Sequence, residues 1–412
     1  MTLRNVTQAA CQVSLFCTRV AASSSAGCST SSSANFEPLG RGLHRMFLTA
    51  AVPQGYIQTW ADVRGRRVEP FSIVQQEVDI VSERLRHSVS TGIPALKTAA
   101  EYFFRHGMEG KRLRPTLALL MSSALSPSAP PPEYLQVDLR PAAEHAPELR
   151  RRQQRIAEIA ELIHVASLLH DDVIDDAETR RGVVSLNNVM GNKTAILAGD
   201  FLLARASVSL AALRNPETVV LMSQVLEHLV SGEIMQMTAT SEQLLDLDHY
   251  MAKTYCKTAS LMANSSRSIA VLAGVTPAVC DMAWSYGRHL GLAFQVVDDL
   301  LDLTGSSSVL GKPALNDLRS GLATAPVLFA AQEEPELRPL ILRKFKQEGD
   351  VALAMALIQR TQGLRRAEEL AAHHAKMAAE MIRCLPAAQS DHAEIAREAL
   401  VQITHKVLTR KK

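Results

Sequence analysis

The sequence of 412 residues predicts an all-α fold, arranged as one large helical bundle. Two features favour this fold class. Apolar residues make up 47% of the chain but aromatic residues only 4%, so Leu, Ala and Val supply an aliphatic core. From Phe71 onward, apolar residues recur almost continuously at helical spacing, with few of the β-branched runs that favour strands. Packed helices around a common core are the architecture that follows.

The N-terminal segment, residues 1–65, differs in composition from the rest of the chain. It is rich in Ser and contains several Arg, and its only acidic residues are Glu37 and Asp62. This composition is typical of an organelle transit peptide, and a disordered tail without a targeting signal is the alternative. We therefore assign 1–65 as a transit segment and 71–412 as the folded domain. Composition alone leaves mitochondrion and plastid both open.

Helical periodicity divides the folded domain into consecutive segments. Pro94 begins the second of them, because proline is favoured in the first turn of a helix. The Pro-rich stretch at 126–147 interrupts the periodicity and predicts a loop or insertion without a function of its own. The spacing predicts shorter helices over 316–410 and longer ones at 72–89, 94–106, 111–125, 149–176, 193–213, 216–238, 246–271 and 277–304.

Charge, cysteines and short motifs exclude several classes of protein. The net charge of +2 argues against a nucleic-acid partner. The six cysteines show no paired spacing, which argues against a disulfide framework or a zinc site. No apolar run reaches the roughly 20 residues of a membrane span. Neither GxxxxGK[ST] nor GxGxxG is present, so nucleotide binding has no support.

Four aspartates occupy six consecutive positions within LLHDDVIDDAETRRG, residues 168–182. Asp171, Asp172 and Asp175 form the pattern DDxxD, while Asp176 lies outside it as a spectator. On a helix, positions i and i+4 share a face, so Asp171 and Asp175 point the same way. Taken alone, a solvated helix end explains this cluster as well as a binding site does.

The same pattern recurs in LAFQVVDDLLDLTG, residues 292–305, as Asp298, Asp299 and Asp302, with Gln295 one turn earlier. Each cluster follows an apolar helical run. Carboxylates that converge inside a bundle are unstable unless a cation lies between them. Mg²⁺ suits such oxygen ligands and takes one or two carboxylates together with phosphate oxygens. The two clusters therefore predict a ligand rich in phosphate.

Basic residues flank both acidic clusters. Arginine binds phosphate through two hydrogen bonds and lysine binds it as a point charge. Each of these basic residues alone is best explained as an ordinary surface cation. Their placement beside the acidic motifs, however, favours diphosphate binding. They are Lys111, Arg112, Arg114, Arg180, Arg181, Lys257 and Lys312.

From about residue 71 to the C-terminus the chain resembles the trans-isoprenyl diphosphate synthases, and within them the long-chain polyprenyl (solanesyl/decaprenyl-type) diphosphate synthases. The matching stretches are GKRLRP, LIHVASLLHDDVIDDAETRRG, LAGDFLLARA, KTASL, GLAFQVVDDLLD and GKP. The resemblance implies an isoprenoid-synthase-type bundle with a central cavity. It also implies a Mg²⁺-dependent prenyltransferase that joins isopentenyl diphosphate to an allylic diphosphate, farnesyl or geranylgeranyl diphosphate.

The resemblance also implies a role for single residues. The acidic motifs would act on a diphosphate that carries Mg²⁺, through Asp171, Asp172, Asp175, Asp298, Asp299 and Asp302. The direct metal ligands among them would be Asp171, Asp175 and Asp298. The allylic substrate would contact Arg180, Lys257, Thr258, Gln295 and Lys312. Isopentenyl diphosphate would contact Lys111, Arg114, His164 and Arg181.

Product length is expected to depend on two small residues, Ala166 and Ser167, which lie five and four positions before Asp171. In the family that the chain resembles, a bulky aromatic residue there stops chain growth early. From these residues toward the N-terminus of the helix, two to three further turns span about 12–18 Å of open channel. We therefore expect a product of about C40–C50. The alternative is that both residues are small only so that helices can pack.

One departure from the family pattern concerns a phosphate contact. Many relatives have Lys, a small residue and Thr where this chain has GLATAP, which puts Leu322 at the Lys position. Rival interpretations are a short-chain geranylgeranyl diphosphate synthase, a terpene cyclase and a non-catalytic regulatory subunit of a heteromeric synthase. The small residues before the first motif argue against the first, and the two intact acidic motifs argue against the others.

The resemblance further implies a setting for the enzyme. Synthases of this type form homodimers, and some long-chain ones are heteromers, so either assembly is expected. Similarity to mitochondrial relatives favours the mitochondrion and a role in the ubiquinone side chain, with the plastid and plastoquinone as the alternative. The apolar product would bring the enzyme to a membrane surface as a peripheral protein.

Overall fold

Helices form nearly all of the regular structure in the described part of the chain, which confirms the all-α prediction. The computed structural model describes residues 69–104, 112–125, 142–180, 182–305 and 315–410, without the side chains of 142–147. These residues belong to one unit, Arg67–Lys412. Outside the described residues lie the predicted transit segment 1–65, most of the Pro-rich insertion, and Lys111, Arg181 and Lys312.

The described helices follow one another with short connections. They are α1 (Pro70–Ile73), α2 (Gln75–Ser88), α3 (Pro94–Glu101), α4 (Leu113–Ala124), α5 (Ala142–Ile174), α6 (Leu186–Met190), α7 (Asn192–Ala211), α8 (Pro216–Met237), α9 (Leu247–Thr254), α10 (Ser260–Leu272), α11 (Pro277–Thr304), α12 (Asn316–Arg319), α13 (Ala325–Glu333), α14 (Leu337–Leu342), α15 (Asp350–Ile358), α16 (Gly363–Arg383) and α17 (Asp391–Thr409). Single turns of 3-10 helix lie at Tyr102–Phe104 and Gln243–Leu245, and a π-helical turn at Tyr255–Ala259 joins α9 to α10. A two-stranded antiparallel hairpin, β1 (Thr179–Arg180) and β2 (Val183–Val184), follows α5.

Helix α11 runs through the core and packs against α10 on one side and α16 on the other, while α5 packs against α4 and α7. Two glycines of α11 allow a very close approach to its neighbour. A Cβ atom on Gly287 would lie 2.4 Å from the carbonyl oxygen of Met262, and one on Gly291 would lie 2.5 Å from Cα of Ala259. The backbones of α10 and α11 are therefore in contact, which fixes the π-helical turn against α11.

The predicted helices differ from the structure in several places, and the predicted helix 72–89 is divided at Val74 into α1 and α2. Helix α5 begins at Ala142 rather than near 149, so the last six residues of the predicted insertion, 142–147, are helical. Ala and Glu, which are strong helix formers, open this segment. The predicted helix 246–271 is interrupted by the π-helical turn, which hydrophobic periodicity over such a short stretch does not reveal.

Helix α7 is long and apolar enough, by length and composition alone, to cross a membrane. Only 33% of the most apolar stretch of this helix is buried. Core helices of globular proteins can be equally long and apolar. Asp200 and Arg205 interrupt the apolar run, so the sequence alone did not predict a membrane span here. Large apolar side chains are exposed on α7 and on the adjacent α8, among them Leu197, Val208, Val220, Val230 and Ile234.

Candidate active site

The first acidic motif lies at the C-terminal end of α5. The side chain of Asp172 is almost fully buried, and its Oδ1 accepts a hydrogen bond from Nε of Arg180 at 2.7 Å. Its other oxygen, Oδ2, is buried without a hydrogen-bond partner. The β-hairpin carries Arg180 back toward the helix, so a residue predicted to contact substrate is ion-paired to the motif. Asp176 is exposed and lies just beyond the end of the helix, with a left-handed φ of 49°.

Crowded carboxylates surround Asp171. Burial raises its pKa to about 6, which Lys257 and Arg180 oppose and the neighbouring Glu233 and Asp175 reinforce. Burial also raises the pKa of Asp175, again with Glu233 as a contributor. Because the ionised forms are penalised here, a bound cation would stabilise this cluster.

The π-helical turn presents Lys257 and Thr258, both predicted substrate contacts, toward the motifs. Lys257 forms an ion pair with Glu233 of α8, and its Nζ donates to Oε1 of Gln236 at 3.4 Å. A Cβ atom on Gly232 would lie 2.7 Å from Cγ of Lys257, so this glycine makes room for the lysine stem. Glu233 and Gln236 were not predicted from the sequence, because nothing in their spacing distinguishes them from an ordinary helix surface.

The second acidic motif is joined to this turn by a chain of hydrogen bonds. Thr258 Oγ1 donates to Oε1 of Gln295 at 2.8 Å, and Nε2 of Gln295 donates to Oδ1 of Asp299 at 2.9 Å. Oδ2 of Asp299 accepts from the hydroxyl of Tyr250 at 2.5 Å. Burial raises the pKa of Asp299 to about 7, and Asp317 adds to the effect. Three predicted site residues thus meet here, together with Tyr250, which the sequence did not indicate.

The other two aspartates of this motif face different surroundings. Asp302 is fully buried, and its Oδ2 accepts from the backbone N–H of Asp317 at 2.9 Å, so it anchors the segment after α11. Asp298 is partly exposed and ion-paired with Nη2 of Arg410 at 2.7 Å. Arg410 also donates to the carbonyl of Phe294 at 2.6 Å and stacks 3.8 Å above its ring. The ion pair of Asp298 with the end of α17 was not expected.

The predicted isopentenyl-diphosphate residues are only partly described. Arg114 lies on α4 and His164 on α5, two helices that pack against each other. Arg114 lines a small cavity of about 10 Å³ between α4 and α10. The predicted chain-length residues lie nearby on α5. Ala166 is fully buried in the core, and Ser167 Oγ donates to the carbonyl of His164 at 2.9 Å.

The residues of the two motifs fit a hard divalent cation that arrives with its own phosphate ligands. Within the described ranges, no group of three or more His, Cys, Asp or Glu is close enough to form a complete metal site. The donors are carboxylate oxygens with raised pKa values, together with the unpartnered Oδ2 of Asp172. Mg²⁺ commonly takes one or two carboxylates and completes its shell with water and phosphate oxygens, which suits this arrangement.

Comparison with known proteins identifies the family. The sequence profile described as polyprenyl synthetase matches residues 93–358. The chain belongs to the polyprenyl synthetase family. A solanesyl diphosphate synthase of Arabidopsis thaliana, named as chloroplastic/mitochondrial, is 50% identical over 345 residues, which cover 84% of this chain and 81% of that one.

Solved structures of polyprenyl synthetase relatives share the fold. The apo form of an Arabidopsis medium/long-chain length prenyl pyrophosphate synthase is 43% identical with a TM-score of 0.68, over 84% of this chain and 100% of that one. A polyprenyl synthase from Caulobacter crescentus, complexed with calcium and isoprenyl diphosphate, is 28% identical with a TM-score of 0.71, over 84% of this chain and 98% of that one. The predicted long-chain trans-prenyl diphosphate synthase class is confirmed, and the chain is a prenyltransferase.

Proposed function

We propose that the protein is a long-chain all-trans-polyprenyl diphosphate synthase, which adds isopentenyl diphosphate units to an allylic diphosphate. The observation that supports this best is the link between its two acidic motifs. Lys257 acts electrostatically on Asp171 and Asp175, while its neighbour Thr258 is hydrogen-bonded through Gln295 to Asp299. A diphosphate between the motifs would meet carboxylates for its metal and donors for its oxygens.

The expected chemistry is ionisation followed by condensation. Asp171 and Asp175, and on the other side Asp298, would hold Mg²⁺, which would supply charge neutralisation of the leaving diphosphate. Lys257 and Thr258 donate to the oxygens on which negative charge develops as the carbon–oxygen bond breaks. The double bond of isopentenyl diphosphate then attacks the allylic carbon, and a proton leaves to the released diphosphate. Apolar walls exclude water that would otherwise capture the cation.

The second substrate is expected at the other end of the site. Arg114 and His164, with Lys111 and Arg181 beyond the described residues, would bind the diphosphate of isopentenyl diphosphate. Arginine suits this role because its planar group forms two parallel hydrogen bonds with phosphate. The helix pair α4 and α5 carries both described residues, so the packing of these helices sets their separation.

Small side chains at Ala166 and Ser167 support a long product over geranylgeranyl diphosphate, which remains the nearest alternative. A non-catalytic regulatory subunit is the other alternative. One experiment separates the three. The purified protein, incubated alone with Mg²⁺, farnesyl diphosphate and labelled isopentenyl diphosphate, should give products of about C40–C50, the range inferred from the length of the channel helix. Products no longer than C20 would favour the short-chain synthase, and no product would favour the regulatory subunit.

A matched pair of variants tests the metal motif in the same assay. Asp171→Ala should reduce turnover by about 10³-fold or more, the scale expected when a main electrostatic contact to the reacting group is lost. Asp176→Ala removes a carboxylate from an exposed position just beyond the helix and should leave turnover unchanged. Equal activity of the two variants would contradict the assigned roles.

The exposed apolar side chains on α7 and α8 support a homodimer formed through these two helices. Contiguous apolar surface of this kind marks interaction sites on folded proteins. Val230→Asp and Val208→Asp, at side chains that are 65% and 66% exposed, should give monomers in light scattering after size-exclusion chromatography. A heteromer is the alternative, and a wild-type chain that is monomeric when pure would favour it.

We also propose that residues 1–65 direct the protein to the mitochondrion, where its product supplies the ubiquinone side chain. The name of the Arabidopsis relative includes both organelles, so the plastid is the alternative. Residues 1–68 fused to a fluorescent protein should accumulate in mitochondria. The apolar product would also favour peripheral association with a membrane, which sedimentation with vesicles in the presence and absence of substrates would measure.

A further inference from the structure

Lys253 lies on α9, four residues before Lys257, and is not part of the family motifs. Its ammonium group is 5.5 Å from the centre of the Tyr250 ring. Among the described residues, no carboxylate lies within ion-pair distance of it. Its charge nevertheless interacts with those of Asp299 and Lys257. Lys253 therefore adds an uncommitted cation beside the second acidic motif and Lys257.

Lys253 lines a cavity of about 180 Å³. Tyr250, Lys253 and Gln236 line one wall, where Tyr250 is bonded to Asp299 and Gln236 to Lys257. The cavity is thus continuous with the hydrogen-bonding partners of both motifs. Any group that occupied it would lie beside the proposed diphosphate site.

The segment that contains Leu322 also lines the cavity. This segment is fixed to the second motif, because the N–H of Asp317 donates to Asp302 Oδ2 and the N–H of Leu322 donates to the carbonyl of Asp317 at 2.8 Å. Leu322 therefore has a defined place in the lining of the same cavity as Lys253. Its side chain offers no hydrogen bond to an anion.

Other polar groups around the cavity also suit an anion. Nε2 of His249 is buried and has no hydrogen-bond partner. Lys344 lines the cavity as well, and among the described residues no carboxylate lies within ion-pair distance of its ammonium. The lining acid, Asp246, is engaged at the start of α9, where its Oδ1 accepts from the N–H of Asp248 at 3.0 Å. The lining thus presents free donors and an excess of positive charge.

We propose that Lys253 binds the diphosphate of the allylic substrate, and that it supplies from α9 the cationic contact that Leu322 cannot supply from its place in the lining of the same cavity. This inference rests on the proposed function. A lysine ammonium on a flexible four-carbon stem reaches an oxygen in the cavity without a fixed geometry. The alternative role is structural, in which Lys253 only balances the buried charge of Asp299 and holds Tyr250.

Lys253→Met keeps the length of the side chain and removes its charge. The KM for farnesyl diphosphate should rise about 10- to 100-fold, the range for loss of a hydrogen bond to a charged group, while the KM for isopentenyl diphosphate stays within about twofold. The Kd of farnesyl thiolodiphosphate, an unreactive analogue, measured by calorimetry with Mg²⁺ should rise by the same factor. Lys346→Met, at an exposed position, is the matched control and should change neither value.

The double variant Lys253→Met, Leu322→Lys separates binding from a structural role. A lysine introduced at this other position in the lining of the same cavity should recover at least tenfold of the lost affinity for the analogue. A structural lysine that supports Asp299 and Tyr250 would not be replaced in this way. Failure of the double variant to regain affinity, in a protein with a wild-type melting temperature, would overturn the inference.

The two proposals fail differently. If the wild-type protein makes no polyprenyl product, the proposed function is wrong. If the wild-type protein is active and Lys253→Met retains the wild-type KM and Kd, the proposed function stands and only the role of Lys253 is wrong. Circular dichroism of each variant shows whether it is folded, and Lys253→Arg, which keeps the charge, should retain most of the affinity.

Discussion

Replacement of Asp171 by asparagine should make the metal-free protein more stable while it abolishes activity. Burial and nearby carboxylates raise the pKa of Asp171 from 3.8 to about 6. One pKa unit corresponds to about 1.4 kcal/mol, so the ionised carboxylate costs the fold about 3 kcal/mol. Asparagine has nearly the same shape and no charge, so it avoids this cost.

The effect should depend on pH with a definite sign. Above pH 7 the carboxylate is ionised in both the folded and unfolded states, and the wild-type protein bears the full penalty. As the pH falls through 6 the folded state takes up a proton, and the penalty disappears near the unfolded value of 3.8. The advantage of Asp171→Asn should therefore be full at pH 8 and absent near pH 4.

Thermal unfolding in EDTA measures the difference. An unfolding entropy of about 2 cal/mol/K per residue gives roughly 0.7 kcal/mol/K for the described unit, so about 3 kcal/mol corresponds to a Tm increase of about 4 °C. Asp176→Asn, at an exposed position, is the control and should shift the Tm by less than about 1 °C. Mg²⁺ with farnesyl thiolodiphosphate should then raise the Tm of the wild type more than that of Asp171→Asn. A lower Tm for Asp171→Asn in EDTA at pH 8 would refute the reasoning.

Three other outcomes are expected. Ala166→Phe should shorten the product, because the larger ring fills the space beside the chain, and should cost about 1–3 kcal/mol of stability by overpacking; chromatography that shows an unchanged product length would contradict this. Arg410→Ala should lower the free energy of unfolding in urea by about 1–3 kcal/mol, because it loses the ion pair to Asp298 and the stacking on Phe294, and Arg410→Lys should recover part of it. Apparent Mg²⁺ affinity should fall about tenfold between pH 8 and pH 5, because Mg²⁺ must displace a proton from Asp171; calorimetry that finds no pH dependence would exclude this carboxylate as a ligand.

Helical periodicity was sufficient to predict the fold class and most helix positions, because each long helix buries one continuous apolar face. Both limits of α8 and α11 were predicted to within a residue. Pro216 and Pro277 stand in their first turns and mark where these helices begin. The start of α5 was predicted too late, because a proline-rich neighbourhood hid a segment with good helix formers. Local sequence describes helices well and their exact limits less well.

The site was predictable where function requires a fixed spacing of side chains. The two DDxxD patterns belong to that class. Thr258 and Gln295 were expected as substrate contacts only from the family resemblance, and the hydrogen bond between them was not predicted. Glu233, Tyr250 and Lys253 were not predicted, because their importance arises only when separate helices pack together. The partner of Asp298 could not be inferred either, since Arg410 is more than 100 positions away in the sequence and approaches only through the packing of α17.

The π-helical turn at Tyr255–Ala259 gives this protein a sensitivity to length that substitutions would not expose. A π-helical turn contains about one residue more than an α-helical turn, and this extra residue bulges outward while the helix on either side keeps its direction. Deletion of one residue here would permit ordinary helical bonding and leave α10 facing Gly287 and Gly291, yet it would remove the bulge that carries Lys257 and Thr258. The turn would then have more regular helical hydrogen bonds, but the protein as a whole would be impaired. Insertions and deletions in this turn should consequently be far less tolerated than changes of side chain.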